Sequence, residues 1–318
     1  MILVTGAAGF IGFHLCAKLL ERGDRVVGFD NFNDYYDVRL KRDRIKQIAG
    51  RSGFNFREMD LCDRRALQDL FAEYPISRVC HLAAQVGVRY SLHNPFAYQK
   101  SNLEGFLNII ECAREHAVGN FVYASSSSVY GNTRQIPFSE TDRADTPISY
   151  YGATKRSNEL TAYTYSRLYN LPVTGLRFFT VYGPWMRPDM ALFIFTQKIL
   201  AGEPIDVYGH GKMKRNFTYI DDIIQGVALA LDHAKPCAIY NIGSDRTEDL
   251  AAYIEALERC LGKQAVRNDL PQQAGDMTET WADIESIKTD YGYRPTTGIA
   301  SGVKQFVEWY KSYYAGRG

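Results

Sequence analysis

Strand candidates recur along the first half of the chain at residues 2–5, a short apolar run, and at 25–29, 54–59, 78–82 and 120–126, separated by stretches long enough for a helix. Strand-length runs alternating with helix-length segments predict βαβ units and a parallel sheet, hence an α/β fold. The first run leads through a glycine-rich turn into a helix over 13–22, which Gly23 stops. A helix from 150 to about 169 runs into a further strand at 173–178, and 238–242 reads as a strand returning to the sheet. Between these last two strands the density of Pro and Gly over 179–189 marks a loop and a change of domain.

The turn after the first strand is Gly6-Ala7-Ala8-Gly9-Phe10-Ile11-Gly12. Gly6 permits a tight strand-to-helix turn, Gly9 lets the backbone approach a pyrophosphate at the helix N-terminus, and Gly12 lets the helix pack on the sheet. Three glycines alone also suit a plain turn. The next strand, however, ends at Asp30, followed by Asn31. An acidic residue about 20 positions after the turn is placed to bind ribose hydroxyls and to repel a 2′-phosphate, which favours NAD over NADP. Together these features predict a Rossmann-type, doubly wound parallel sheet that binds a dinucleotide. Small or polar residues follow the later strands: Asp60 and Leu61, Leu82 with Ala83 and Ala84, and Ser125 to Ser128. That edge of an open parallel sheet is where ligands bind. Asp60 suits the adenine end, Ala83 and Ala84 suit close approach to the cofactor, and Asn102 suits the nicotinamide end. Taken singly, each has a plain alternative as a loop or helix-surface residue.

Tyr151 and Lys155 lie four positions apart, on one face of a helix. A free tyrosine has a pKa of about 10 and is a poor base at neutral pH. A fixed ammonium nearby favours the phenolate and lowers that value. With a hydroxyl from the serine run added, the set can remove a proton from a sugar or alcohol OH. Tyr150, five positions from Lys155, points off that face. In a chain with 22 tyrosines, chance spacing is the competing reading of the pair.

Residues 31–44 are dense in charge and aromatic rings; they form a helical excursion over the adenine side or a solvated surface helix, and the latter is the preferred reading for most of them. Lys212, Lys214 and Arg215 follow a turn at 206–211; they are solvated turn charges or they neutralise a diphosphate, for which Arg is well suited. Asp221 and Asp222 stand where a strand meets a helix and read as capping groups.

Composition narrows the picture without changing it. The chain has 318 residues, 46% apolar and 23% charged, with a formal net charge of +1, so there is no electrostatic case for nucleic acid or membrane. Six cysteines are scattered without a paired spacing, and the six histidines show no metal-ligand spacing. No apolar run is long enough to span a bilayer and no basic segment precedes the first strand, so a reducing cytoplasm is expected.

Gly6-x-x-Gly9-x-x-Gly12, His81-Leu82-Ala83-Ala84, Ser125 to Gly131, Tyr151-x-x-x-Lys155, Arg177-Phe178-Phe179 to Gly183-Pro184 and Arg215-Asn216-Phe217 to Asp221-Asp222 together resemble the extended short-chain dehydrogenase/reductase family, in its nucleotide-sugar branch. The resemblance covers nearly the whole chain. It implies an NAD-binding domain over 1–177, with returns near 217–245, and a smaller mixed α/β domain, mainly 178–318, that binds the UDP-sugar. It also implies that Tyr151 is the base, that Lys155 lowers its pKa and holds the nicotinamide ribose, that Ser126 bonds the sugar, and that Phe178 lies against the nicotinamide. Family dimers form through two helices per subunit, here 95–116 and 150–169, so a homodimer is expected.

Epimerases, dehydratases and decarboxylases of this branch all begin by oxidising sugar C4. Dehydratases resemble Thr-Asp-Glu-Val-Tyr-Gly at the serine run and decarboxylases Ser-Glu-Val-Tyr-Gly, whereas this chain has Ser127 and Ser128 in the carboxylate places. Without a carboxylate, acid–base work beyond the C4 hydroxyl has no catalyst, which leaves epimerisation. The resemblance then implies transient oxidation at C4 by tightly bound NAD, rotation of the flat 4-keto sugar about its diphosphate, and return of hydride to the other face. The segment 178–190, like 31–44, resembles the UDP-glucuronic acid 4-epimerase group. Arg187 suits a substrate carboxylate, Thr180 and Ser128 share that task, and a loop ion pair is the alternative for Arg187. Gln273 stands where glucose-type epimerases carry an Arg on the diphosphate, so Arg215 takes more of that load, with Asp276 close by in sequence. The competing expectations are a UDP-glucose or UDP-N-acetylglucosamine 4-epimerase and, from another class, a non-catalytic NAD sensor.

Overall fold

The computed structural model describes residues 1–316 except 134, 212 and 272–278. Seven strands form one parallel sheet: β1 (Ile2–Thr5), β2 (Val26–Asp30), β3 (Phe54–Glu58), β4 (Arg78–His81), β5 (Asn120–Ser126), β6 (Val173–Phe178) and β7 (Cys237–Ile242). Their spatial order is β3-β2-β1-β4-β5-β6-β7. The chain winds outward from β1 to β3 and then crosses to β4 on the other side of β1. Thr5 pairs with Phe29 of β2 and with His81 of β4. The carboxyl ends of β1 and β4 therefore flank the switch in winding direction, where open α/β sheets hold their ligands. Every residue of β1, β2 and β6 is buried, because the sheet is covered on both faces.

Helices α1 (Phe10–Glu21), α2 (Val38–Lys46), α3 (Arg64–Glu73), α4 (Gly105–Glu115) and α5 (Tyr150–Tyr169) connect the first six strands. One core, built from Leu67, Leu70, Phe106, Ile109 and Phe121, lies under α3, α4 and α5. The opposite face packs Phe13, Leu15 and Leu19 of α1, and this core continues without a break into Met186, Phe193, Ile220 and Phe306 of the second half. The second half contributes α6 (Ala191–Ala201), α7 (Ile220–Asp232), α8 (Leu250–Leu261), α9 (Glu285–Tyr291) and α10 (Ile299–Tyr314). It also has short paired strands, among them Phe217–Tyr219 beside Thr180–Tyr182 and Arg267–Leu270 beside Ile205–Tyr208.

Two expectations change here. Gly9 is the N-cap of α1, so the helix begins at Phe10 and not at 13. Asp221 and Asp222 do not cap α7, because Tyr219 holds that position. Asp222 instead accepts the backbone N–H of Thr296 and Thr297, each at 3.0 Å, since its carboxylate points across to a segment that has donors to offer.

Candidate active site

The site begins with a backbone cradle. Gly6 adopts φ +70°, and a Cβ there would stand 2.9 Å from the Ala83 Cα. A Cβ on Gly12 would stand 2.1 Å from the Gly6 carbonyl oxygen. Thr5 fixes the neighbouring turn: its Oγ1 accepts the N–H of Leu82 at 3.1 Å and of Ala83 at 3.0 Å, and lies 2.8 Å from His81 Nδ1. Burial pushes the His81 pKa down to about 3, so the ring is neutral and its Nδ1 takes the threonine proton. The N-terminus of α1 thus faces a cavity of about 390 Å³ with no side chain in the way. Asp30 is buried at the end of β2 and bonds the Phe32 N–H at 2.9 Å. Burial raises the pKa of its carboxyl, an effect the ammonium of Lys41 opposes. Farther along the wall, Asn31 donates to Asp60 at 3.1 Å and Asp60 accepts the Cys62 N–H at 2.8 Å. A glycine cradle without room for a Cβ, an open helix N-terminus and an acid at the end of β2 form a donor and acceptor set that fits a dinucleotide.

The same cavity reaches α5. Ser149 caps that helix by accepting the Gly152 N–H at 3.0 Å, which fixes where Tyr151 and Lys155 start. Lys155 is buried and donates to the Ala124 carbonyl at 2.9 Å, with its nitrogen 6.0 Å from the Tyr151 ring centre. Burial lowers the Lys155 pKa to about 8. The Tyr151 pKa is raised, because burial outweighs a hydrogen bond from Ser126 and the charge of Arg187. The expectation is that Lys155 lowers this value; in this cavity the cost of desolvating a phenolate is the larger effect. Ser126 also meets Ser128, Oγ to Oγ at 3.2 Å.

One cavity brings together Gly6, Gly9, Phe10, Ile11, Gly12, Asp30, Asn31, Asp60, Leu61, Leu82, Ala83, Ala84, Ser126, Ser128, Tyr151, Lys155, Phe178, Thr180 and Arg187. Asn102 is not among its lining. It is 1% exposed and spends its amide on the protein, accepting from Gln85 N at 2.8 Å and donating to Gln85 O at 3.0 Å and Thr154 Oγ1 at 3.1 Å. Its place is that of a clamp behind the wall. Arg215 also stands outside the lining, donating to Lys214 O at 3.0 Å and to the Met213 sulfur at 3.3 Å. Gln273 and Asp276 lie outside the described residues.

Arg187 lines the cavity, but its Nε and Nη2 already bind the two oxygens of Asp189 at 2.9 and 2.8 Å. Asp189 is held in turn by the Tyr35 hydroxyl at 3.0 Å. The loop ion pair and the cavity position therefore both hold. Residues 31–44 are not a solvated helix: Asn33, Tyr35, Tyr36 and Lys41 line the cavity, and Arg44 is wholly buried. Their polar composition hid this, since hydrophobic periodicity cannot flag a buried cation whose donors are all used.

The chain matches the NAD dependent epimerase/dehydratase family over residues 2–243. UDP-glucuronate 4-epimerase 2 of Arabidopsis thaliana is 47% identical over 98% of this chain and 76% of its own length. A probable UDP-glucuronate 4-epimerase of Rhizobium meliloti is 44% identical over 98% of this chain and 97% of that one. Among solved structures, UDP-glucuronic acid 4-epimerase from Bacillus cereus, in complex with UDP-glucuronic acid and NAD, matches with a TM-score of 0.91 at 36% identity over 98% of this chain and 99% of that one. A family match through three quarters of the chain, a glycine cradle at the switch of the sheet and a tyrosine–lysine helix on one cavity lead to a single assignment: the chain belongs to the NAD dependent epimerase/dehydratase family.

Proposed function

We propose that this protein is a UDP-glucuronate 4-epimerase, interconverting UDP-glucuronate and UDP-galacturonate without loss of CO2. The observation that carries the reading is a single cavity holding the glycine cradle, the Tyr151–Lys155–Ser126 set, the carboxylate-free pair Ser127 and Ser128, and Arg187. NAD, held along Gly6, Gly9, Gly12, Asp30 and Asp60, supplies a reversible hydride acceptor for C4. Tyr151 takes the proton from the C4 hydroxyl, and the Ser126 hydroxyl, on the same cavity, shares the proton's path. Lys155 places a buried cation behind them, which favours the phenolate form of Tyr151 that accepts this proton. Ser128 and Thr180 offer hydroxyl donors to the sugar carboxylate. Arg187 has five N–H groups and gives two to Asp189, so its outer edge still serves a carboxylate. Holding that carboxylate near the plane of the C4 ketone disfavours decarboxylation of a β-keto acid.

One observation favours a second reading, a UDP-glucose-type 4-epimerase: the neutral pair of Arg187 with Asp189 presents less net charge than a lone guanidinium. Incubating the purified protein with UDP-glucuronate and with UDP-glucose, and resolving the products by NMR, separates the two. UDP-galacturonate without CO2 is the expected product, and matched turnover of UDP-glucose would overturn the acidic-sugar reading. As for assembly, Leu107 of α4 and Leu160 and Tyr163 of α5 are exposed apolar side chains on the two helices expected to pair between subunits. A homodimer fits them, with a mass near twice the 36.1 kDa chain expected in light scattering.

A further inference from the structure

We infer that Arg44 is a positioning residue for sugar choice, acting by fixing the loop that presents Arg187; this rests on the reading of Arg187 as partner of the substrate carboxylate. Arg44 is 0% exposed and stands far along the chain from that loop. Its Nη1 donates to the Ala8 carbonyl at 2.9 Å and to the Tyr36 hydroxyl at 2.6 Å. Its Nε and Nη2 donate to the Trp185 carbonyl at 3.1 and 2.6 Å, and Nη2 reaches Met186 O at 3.5 Å. One residue earlier, His14 of α1 lies 2.9 Å from the Pro184 carbonyl through Nε2. Burial lowers the His14 pKa to about 4, so this is a neutral imidazole donating its single N–H.

Three successive carbonyls, 184 to 186, are therefore held by donors from the first half of the chain, and the next residue is Arg187. Trp185 sits at φ +62°, a left-handed conformation that a bulky side chain keeps only when its surroundings over-determine it. The far side of the loop is tied by the same excursion, since Tyr35, next to Tyr36, holds Asp189. The segment 31–44 thus grips the loop before and after Arg187 and anchors it to the glycine turn through Ala8. Only a planar fork with several donors can span Ala8 and Trp185 at once, and a lysine cannot.

The test is a double-mutant cycle read by calorimetry on NAD-saturated protein, with UDP-glucuronate, UDP-glucose and UDP as ligands. Arg44→Lys is expected to raise Kd for UDP-glucuronate about tenfold, the loss of roughly one charge-assisted hydrogen bond. Kd for UDP and for UDP-glucose should stay within about twofold, and in the Arg187→Ala background Arg44→Lys should add less than about twofold. Equal weakening of all three ligands, or the same effect with Arg187 absent, would show Arg44 to be merely structural and overturn the inference. Should Arg44→Lys not fold, Tyr36→Phe removes one of its partners and is expected to give about a threefold effect with the same dependence on Arg187. Failure of the wild-type protein to epimerise UDP-glucuronate would defeat the functional reading instead, a result separate from either binding pattern.

Discussion

At the scale of single residues, the site is set by what burial does to two titrating groups. In the proposed reaction Tyr151 removes the substrate proton, so Tyr151→Phe is expected to cut kcat by about 10²–10⁴-fold while dinucleotide stays bound, measured by turnover and by absorbance of the protein-bound cofactor. Near-normal kcat would remove Tyr151 from its role. Lys155 is held as a cation in a buried place, with its pKa lowered to about 8. In the unfolded chain that group keeps its proton up to a pKa of about 10.4. Between these values the unfolded state binds more protons than the folded one, so this group's contribution to stability rises with pH, and below about pH 8 the cost of the buried charge is paid in full. Lys155→Met is therefore expected to raise Tm at pH 7 and to abolish turnover. Its Tm advantage should shrink as pH climbs from about 8 toward 10.4 in thermal melts run across that range. A variant less stable than wild type at pH 7 would contradict the burial argument. The spacing of Tyr151 and Lys155 was legible in the sequence. The upward shift of the phenol was not, because it depends on how deeply the fold buries Tyr151.

At the scale of elements, the turn between β1 and α1 shows how little space separates a working cradle from a broken one. Because a Cβ on Gly12 would lie 2.1 Å from the Gly6 carbonyl, Gly12→Ala must push α1 away from the turn. The expected result is protein that purifies without bound dinucleotide and melts several degrees lower; retention of NAD would refute the cradle. The cap of α5 is a gentler case. Ser149→Ala removes the acceptor for Gly152 N–H and should cost about 1 kcal/mol by denaturant titration, with a larger relative loss of kcat because Tyr151 sits in the freed turn. Strand positions were readable because parallel strands covered on both faces are continuous apolar runs. The excursion 31–44 was not, because Lys41 and Arg44 look like surface residues until their partners are known. The Asn102 amide was unreadable in the same way: it turns inward to Gln85, which no local pattern announces.

At the scale of the whole molecule, a buried ion network joins the catalytic helix to the sheet. Glu159, two turns beyond Tyr151 on α5, accepts from Arg177 at 2.8 and 2.9 Å, from Ser125 Oγ at 2.6 Å and from Arg156 at 2.8 Å. Arg177 also stacks over Tyr130, 4.7 Å from its ring centre. Removing one partner strands the other charge, so Arg177→Met should cost about 3–5 kcal/mol in denaturant unfolding. Adding Glu159→Leu should recover part of that loss, since an apolar pair leaves no bare ion. A loss below about 1 kcal/mol for the single variant would mean that water reaches the network. Ser125 precedes Ser126 and Arg177 precedes Phe178, so this network sets the two strand ends that share the cavity wall with Tyr151.

The order of apolar runs, the three glycines and Asp30 determined by themselves that this chain would build a parallel sheet with a dinucleotide cradle, because those features act over a few residues through backbone sterics and strand periodicity. The Tyr151–Lys155 face was fixed in the same local way by helical pitch. Only the tertiary structure decided that Arg44 is buried under the 185 and 186 carbonyls, that Arg187 leans on Asp189, and that Asn102 faces inward. Hydrogen bonds and desolvation between segments far apart along the chain are set by where the fold brings them, and nothing in a side chain's immediate neighbours records that distance.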